Sequence, residues 1–402
     1  MYMNRAAKRL LYLGAAVSLC LSMGWGAADA ADLAGAPHEV VTAEQEMVLA
    51  APQVILNPNI RYANAARTPY EAKVWRLDAP VGEKFPVNFR STSDPFVKKH
   101  AGEKMYQGLE ALHISGSAQP SADGFRGLIK EIRKHTNGPI YDIDLKQETH
   151  GFANGEAVSR YGKRNWGNVG KSLDQILAEE NRTFAFLPGK TILISPPGAR
   201  VREDRLQPLT VSEASTEKEL TRELGIRYVR IPATDHIWPD PDTIDQMIAL
   251  YRRLPKDSWL HFHCEAGKGR TTAFMAMYDM MRNPQLPMET ILERQHAIGG
   301  NIVNYEGNGT NQWKNPYYKE KARMIKAFYE YVQQNHKTGY RMKWSEWLSK
   351  REAKTPEELI LEALHSLFAS RLDDKIIPLS SDVFDACSKG SSVKCLILPN
   401  GL

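Results

Sequence analysis

Two periods of apolar and polar positions alternate along this chain. Phe125, Leu128, Ile129 and Ile132 recur at helical spacing and predict a helix over 121–135. Ala273, Phe274, Met277, Met280 and Met281 do the same for 271–282. Short apolar runs bounded by turn residues predict strands over 109–115, 139–145, 227–231 and 259–262. Helices are also expected over 216–224, from a cap at Asp242 to Arg253, and from about Pro316 to Gln334. Strands in alternation with helices imply an α/β core: a central, mostly parallel sheet flanked by helices. From Gln147 to about Val211 the rhythm breaks into short Gly- and Pro-punctuated pieces such as Thr191–Ile194, which reads as a small β-rich insertion. Residues 31 to about 80 form a loosely ordered lead-in, with order beginning near Val81.

Composition alters this picture mainly at the ends. The 402 residues, 42% of them hydrophobic, allow about two domains with an ample core. Arg5, Lys8 and Arg9, an apolar run from Leu10 to Trp25 and Ala28-Asp29-Ala30 make residues 1–30 a signal peptide, so the chain is expected to be periplasmic or secreted. Leu19 precedes Cys20 where a lipoprotein needs a small residue, and no later stretch is apolar enough to span a membrane. No stable membrane anchor is therefore expected after cleavage. Export also implies an oxidising compartment, in which Cys387 and Cys395 can form a small disulfide and leave Cys264 free. A helix is expected over 356–372 within a C-terminal helix and tail, 351–402. The net charge of +5 falls to +3 once the signal's three basic groups and one acidic group are removed, and no basic stripe interleaves with aromatics. That excludes a nucleic-acid binder. No residue pattern signals an oligomeric state.

The chemistry concentrates between His263 and Thr272. Cys264 and Arg270 have five residues between them, Glu265, Ala266, Gly267, Lys268 and Gly269, and Thr271 follows. The run joins a predicted strand to a predicted helix, where free backbone N–H groups and the helix dipole favour an anion. A thiol at a helix N-terminus beside cations becomes a thiolate more readily, and Arg270, Lys268 and His263 are close in sequence. Gly267 and Gly269 would permit positive φ, Thr271 could hydrogen-bond the sulfur, and Arg270 could bind two phosphoryl oxygens. The loop, residues 265–269 included, is thus a candidate phosphate cradle around a nucleophile. A nucleotide P-loop does not fit, because Lys268 is followed by Gly269 and not by Ser or Thr. Phosphoryl transfer to sulfur also needs a proton donor, and Thr234-Asp235-His236-Ile237-Trp238-Pro239-Asp240 offers Asp235 and Asp240.

The Cys264–Arg270 loop, with an aspartate-bearing loop some thirty residues upstream, resembles the protein-tyrosine-phosphatase fold. His261-Phe262-His263-Cys264-Glu265-Ala266-Gly267 and Gly269-Arg270-Thr271-Thr272 are similar to one branch, the tyrosine-phosphatase-like inositol polyphosphate phosphatases or cysteine phytases. So are Asn88-Phe89-Arg90, Asp144-Leu145, Gln147-Glu148, His150-Gly151-Phe152, Tyr161-Gly162-Lys163-Arg164, Ala233-Thr234-Asp235-His236, Gln295-His296 and Tyr317-Tyr318. The resemblance covers about residues 80 to 350. It implies a phosphatase core over 81–350 with a small partial β-barrel, the β-rich insertion at about 147–211. It further implies stepwise hydrolysis of inositol hexakisphosphate through a phosphocysteine, without cofactor or metal. It makes Cys264 the nucleophile, Arg270 the clamp and Asp235 the general acid, with His236 beside it. Arg90, Arg200, Lys314, Tyr318 and Lys321 would contact substrate phosphates. The chain departs from the family pattern at Asn165, where an aspartate is expected, at Arg200 and Val201 in place of a His-Lys pair, and at Lys268 in place of a valine.

Lys268 supports a second substrate class, because Ala266-Gly267-Lys268-Gly269-Arg270 also resembles tensin-type phosphoinositide phosphatases. A protein-tyrosine phosphatase of the same fold is the other alternative.

Overall fold

β11 (Trp259–Cys264), the strand that ends at the loop, lies in the middle of a five-stranded sheet of order β10-β4-β11-β3-β2. Its neighbours are β4 (Ile140–Lys146) and β3 (Ile114–Ala118), with β10 (Arg227–Ala233) beyond β4 and the short β2 (Arg90–Ser91) at the other edge. All pairs are parallel except β2 with β3. The computed structural model describes residues 74–100, 102–198, 201, 205–307 and 312–352. The expected signal peptide, most of the expected lead-in, the expected helix at 356–372 and Cys387 with Cys395 lie outside the described residues.

Successive β-strand side chains face opposite ways, so β11 divides its residues between two environments. Leu260, Phe262 and Cys264 join the larger core with Ile143, Leu145 and Ile231. Over that face lie α5 (Gly269–Arg282), with Phe274 and Met275, and α6 (Asn315–Asn335), with Phe328 and Tyr331. Trp259, His261 and His263 face the other way, where Trp259 packs with Phe125, Leu128 and Ile132 of α1 (Ala122–Ile132). Gly116 of β3 makes the approach of α5 possible: a Cβ there would come within 2.6 Å of Met275 Sδ and 2.7 Å of Thr271 Cγ2.

The second sheet has six strands in the order β8-β7-β1-β6-β5-β9. It takes β5 (His150–Ala153), β6 (Glu156–Tyr161), β7 (Thr191–Ser195) and β8 (Gln207–Thr210) from the β-rich stretch. It also recruits β1 (Val74–Leu77) from before that stretch and β9 (Ala214–Ser215) from after it. Val74–Leu77 thus already form a strand, ahead of the expected start of order near Val81. Within the stretch lies a helix the periodicity did not reveal, α2 (Leu173–Phe186), opened by a Ser172–Gln175 capping box. Its Phe184 packs edge-on against Trp75 of β1.

Two further differences have local causes. The strand expected over 109–115 runs over Ile114–Ala118, because Glu110–Leu112 form a 3₁₀ turn and His113 has φ 52°. The helix expected to be capped at Asp242 is α4 (Pro241–Arg253), capped by Asp240 with Pro241 in its first turn.

Buried polar groups join the two sheets. Asp78, just past β1, accepts from Arg76, from Ser159 of β6 and from Lys146 Nζ of β4, the last at 2.6 Å. Deeper in, His150 of β5 lies 3.1 Å from Asp144 of β4 and 3.4 Å from Glu217 of α3 (Glu217–Glu223). Arg230 of β10 reaches Asp144 at 2.7 Å and Glu180 of α2 at 3.4 Å. Burial disfavours the His150 imidazolium, but Asp144 more than offsets it and raises the pKa to about 9.

Candidate active site

Cys264 ends β11 at the sheet's carboxyl edge, and α5 begins at Gly269. The four residues between must turn tightly over β3. Gly267 does so with φ 66°, and a Cβ there would lie 2.3 Å from Ala118 N and from Ser117 C. Only glycine fits. Gly269 differs from expectation: it has no positive φ and starts the helix, with open space where a Cβ would be.

Neighbouring elements hold the loop's carbonyls from outside. Gln119 N donates to Glu265 O at 3.2 Å, Asn88 Nδ2 to Ala266 O at 3.0 Å and Arg90 NH1 to Gly267 O at 2.7 Å. In a planar trans peptide the next N–H points opposite to the carbonyl. The N–H groups of Ala266, Gly267 and Lys268 are therefore turned to the inside of the loop, together with the N-terminal end of the 14-residue α5. That is an anion cradle built mainly from backbone.

The side chains complete it. The Thr271 hydroxyl donates to Cys264 Sγ at 3.1 Å, and Cys264 is only 3% exposed. Arg270 is held fork-on-fork by Glu148, at 2.8 and 2.9 Å, and also donates to Ala233 O at 3.2 Å. Burial pushes Glu148 up, but Arg270 more than offsets this and leaves it below its ordinary value. Arg270 Nε makes no hydrogen bond and lies 3.5 Å from Asp235 Oδ1. His263, expected near the thiol as a cation, faces the opposite side of the sheet, with Nε2 at 2.7 Å from Glu217 and 3.4 Å from Asp142. Alternation along β11 puts it there. Asp142, Glu217 and His263 form one group of close metal-ligand types, and Asp144, His150 and Glu217 another.

Asp235 follows β10 and comes to the loop as expected. Its Oδ1 accepts from His236 N at 2.9 Å, and its Oδ2 from Asn165 Nδ2 at 2.9 Å. Burial favours the neutral acid, but Arg270, His236 and the Asn165 hydrogen bond more than offset it and hold Asp235 well below the usual carboxylate range. His236, φ 71°, packs edge-on to Trp313 and is lowered to about 4, chiefly by burial. Asp240 is otherwise employed: its carboxylate accepts from Thr243 N at 2.8 Å and Thr243 Oγ1 at 2.9 Å, capping α4.

Of the expected substrate contacts, Arg90 is 3% exposed and spent largely on the loop itself, bonding Gly267 O and Thr272 Oγ1. Tyr318 and Lys321 line a cleft of about 310 Å³ that also touches Gly269, Asn301 and Tyr305. Lys321 stacks over Tyr318, and burial lowers its pKa to about 8. Lys314 stacks over Trp313. Arg200 lies outside the described residues. Sequence reasoning did not single out Glu148, although Gln147-Glu148 was visible. It lies 122 residues from Arg270, and spacing cannot join such a pair.

A family model for PTP-like phytases, described by inositol hexakisphosphate, matches residues 197–282. A solved structure of a tandemly repeated protein tyrosine phosphatase-like phytase from Mitsuokella multacida is 40% identical. The match covers 72% of this chain and 51% of that one, with a TM-score of 0.64. A PTP-like myo-inositol phosphatase from the same organism, in complex with myo-inositol-(1,3,4,5)-tetrakisphosphate, is 39% identical over the same shares, also with a TM-score of 0.64. A PTP-like phytase from Bdellovibrio bacteriovorus is 30% identical over 68% of this chain and 94% of that one, with a TM-score of 0.55. Among curated proteins, the effector protein hopD2 of Pseudomonas syringae pv. tomato is 26% identical over 72% of this chain and 63% of its own length. The chain thus spans about half of the Mitsuokella chains and under two thirds of the effector. By its anion cradle and these likenesses, the chain belongs to the protein-tyrosine-phosphatase-like phytase family, whose members are phosphoric monoester hydrolases.

Proposed function

We propose that this chain is an exported cysteine phosphatase that removes phosphates from inositol hexakisphosphate and lower inositol polyphosphates. The observation that carries the reading is the arrangement at the loop: Cys264 Sγ, bonded by Thr271, lies at an anion cradle with Arg270 clamped by Glu148 and Asp235 close by. The thiolate attacks phosphorus, the P–O bond to the inositol breaks, and the leaving oxygen takes a proton from Asp235. The Asp235 carboxylate then accepts a proton from water as the water oxygen attacks phosphorus and the P–S bond breaks, releasing phosphate and restoring the thiolate. Inward N–H groups and Arg270 meet the charge spread over the phosphoryl oxygens, so the route needs no metal.

Burial favours the neutral acid, but Arg270 more than offsets it and keeps Asp235 ionised. A phosphate in the cradle competes for Arg270 and repels the carboxylate, which returns proton affinity to Asp235 when substrate arrives. Activity is therefore expected to be best at mildly acidic pH. Lys314, Lys321 and Lys268 favour a densely phosphorylated substrate.

The test compares phosphate release from inositol hexakisphosphate, a phosphotyrosine peptide and phosphoinositide vesicles, with excess chelator present. Inositol hexakisphosphate should be the best substrate, and chelator should leave its rate unchanged. Added salt should weaken its binding more than that of a simple aryl phosphate, because more ion pairs are screened. A preference for the peptide or the vesicles would replace the substrate class. Activity lost to chelator and restored by a divalent metal would reject the mechanism.

A further inference from the structure

Asn165 lies in a turn that the backbone adopts only at some cost. Arg164 has φ 65° and ψ 17°, and Asn165 has φ 61°, both left-handed. Asparagine tolerates that region better than most residues. The turn is tied to the Asp235 loop at three points: Asn165 Nδ2 to Asp235 Oδ2 at 2.9 Å, Trp166 Nε1 to Asp235 O at 2.9 Å, and Trp166 packed with Ile237. Asn165 is 4% exposed, and its amide oxygen has no hydrogen-bond partner. A buried amide oxygen left unpaired is costly unless it has a use in another state of the site.

We infer that Asn165 is a positioning residue that serves both protonation states of Asp235, donating through Nδ2 to the carboxylate and, with its amide turned over, accepting through Oδ1 from the protonated acid. The inference rests on the proposed role of Asp235 as general acid and base. An amide suits a group that must lose and regain a proton within one turnover, because it offers a donor or an acceptor at the same place. A carboxylate at position 165 would lack the donor and would repel an ionised Asp235. The charged and titratable groups facing Asp235 are Arg270, His236, Glu148, Glu265, Lys321 and Tyr318. Asp235 Oδ2 accepts from Asn165, whose amide can reverse that bond without changing charge, while His236 Nε2 lies further off at 3.5 Å.

The test is the pH profile of kcat at saturating inositol hexakisphosphate, which reports groups in the enzyme–substrate complex, for the parent, Asn165→Asp and Asn165→Gly. The glycine variant removes the amide while accepting the left-handed backbone, so it guards against a folding failure. Asn165→Asp should move the alkaline limb up by about one pH unit or more, since two carboxyls sharing a site raise one pKa. Asn165→Gly should move it the same way by less and lower kcat. An aryl phosphate with a good leaving group, which needs little help from an acid, should lose less rate in both variants. If the limb vanishes in Asp235→Asn yet stays in place in both Asn165 variants, this inference fails alone. If the limb persists in Asp235→Asn, the assignment of the acid fails and this inference with it.

Discussion

Asp235 and Asp240 are five positions apart and equally plausible as acids on local sequence, and their environments separate them. Trp238-Pro239-Asp240 spells the tripeptide that carries the acid in many tyrosine phosphatases, whereas the separation of Asp235 from Cys264 fits the phytases better. In the structure both oxygens of Asp240 are engaged by Thr243, and Asp235 lies 3.5 Å from Arg270 Nε. Asp235→Asn should lower kcat by the ~10²–10⁴ expected for a general acid and flatten the alkaline side of the profile. Asp240→Asn keeps a capping oxygen and should leave kcat near that of the parent. Steady-state kinetics on the two variants checks this, and the opposite ranking would assign the acid to Asp240. At this scale the offsets from Cys264 to Thr271 were legible because one turn brings them together. Glu148, Asn88 and Asn165 were not marked as site residues, because only the folded sheet brings them to the loop.

At the scale of elements, the α/β alternation and the limits of most helices were legible from periodicity. α2 was missed because its helical stretch stands among Gly- and Pro-rich pieces, although Ser172 and Gln175 carried a capping signal. Also invisible was the buried joint between the sheets, since no local pattern pairs His150 with Asp144 or Glu217. That joint makes stability depend on pH. The folded pKa of His150, about 9, lies above the ~6.5 of an unfolded histidine. Its contribution is therefore fully present below pH ~6.5 and lost as pH rises through 9. Denaturant midpoints measured from pH 6.5 to 9.5 should fall across that window, and a flat or rising curve would contradict a charged His150 in the joint.

For the whole molecule, the two sheets meet at the loop. Arg76 from β1 approaches Glu265 at 3.5 Å, and Gly267 rests on the end of β3. The five-stranded sheet supplies the strand end that carries the sulfur, and Asp78, just past β1 of the six-stranded sheet, ties into β4 through Lys146. Composition bounded the size and argued against a nucleic-acid binder, but it said nothing of how 74–77 would pair with β6, more than eighty residues away. The bond that Cys264 forms with phosphorus can be observed directly. The protein is mixed with inositol hexakisphosphate, quenched in acid within the first turnover, and its peptides are read by mass spectrometry. The covalent route predicts phosphate on the Cys264 peptide that appears before free phosphate accumulates and is absent in Cys264→Ser, which also fails to turn over. Turnover persisting in Cys264→Ser, or phosphate carried on another residue, would contradict it.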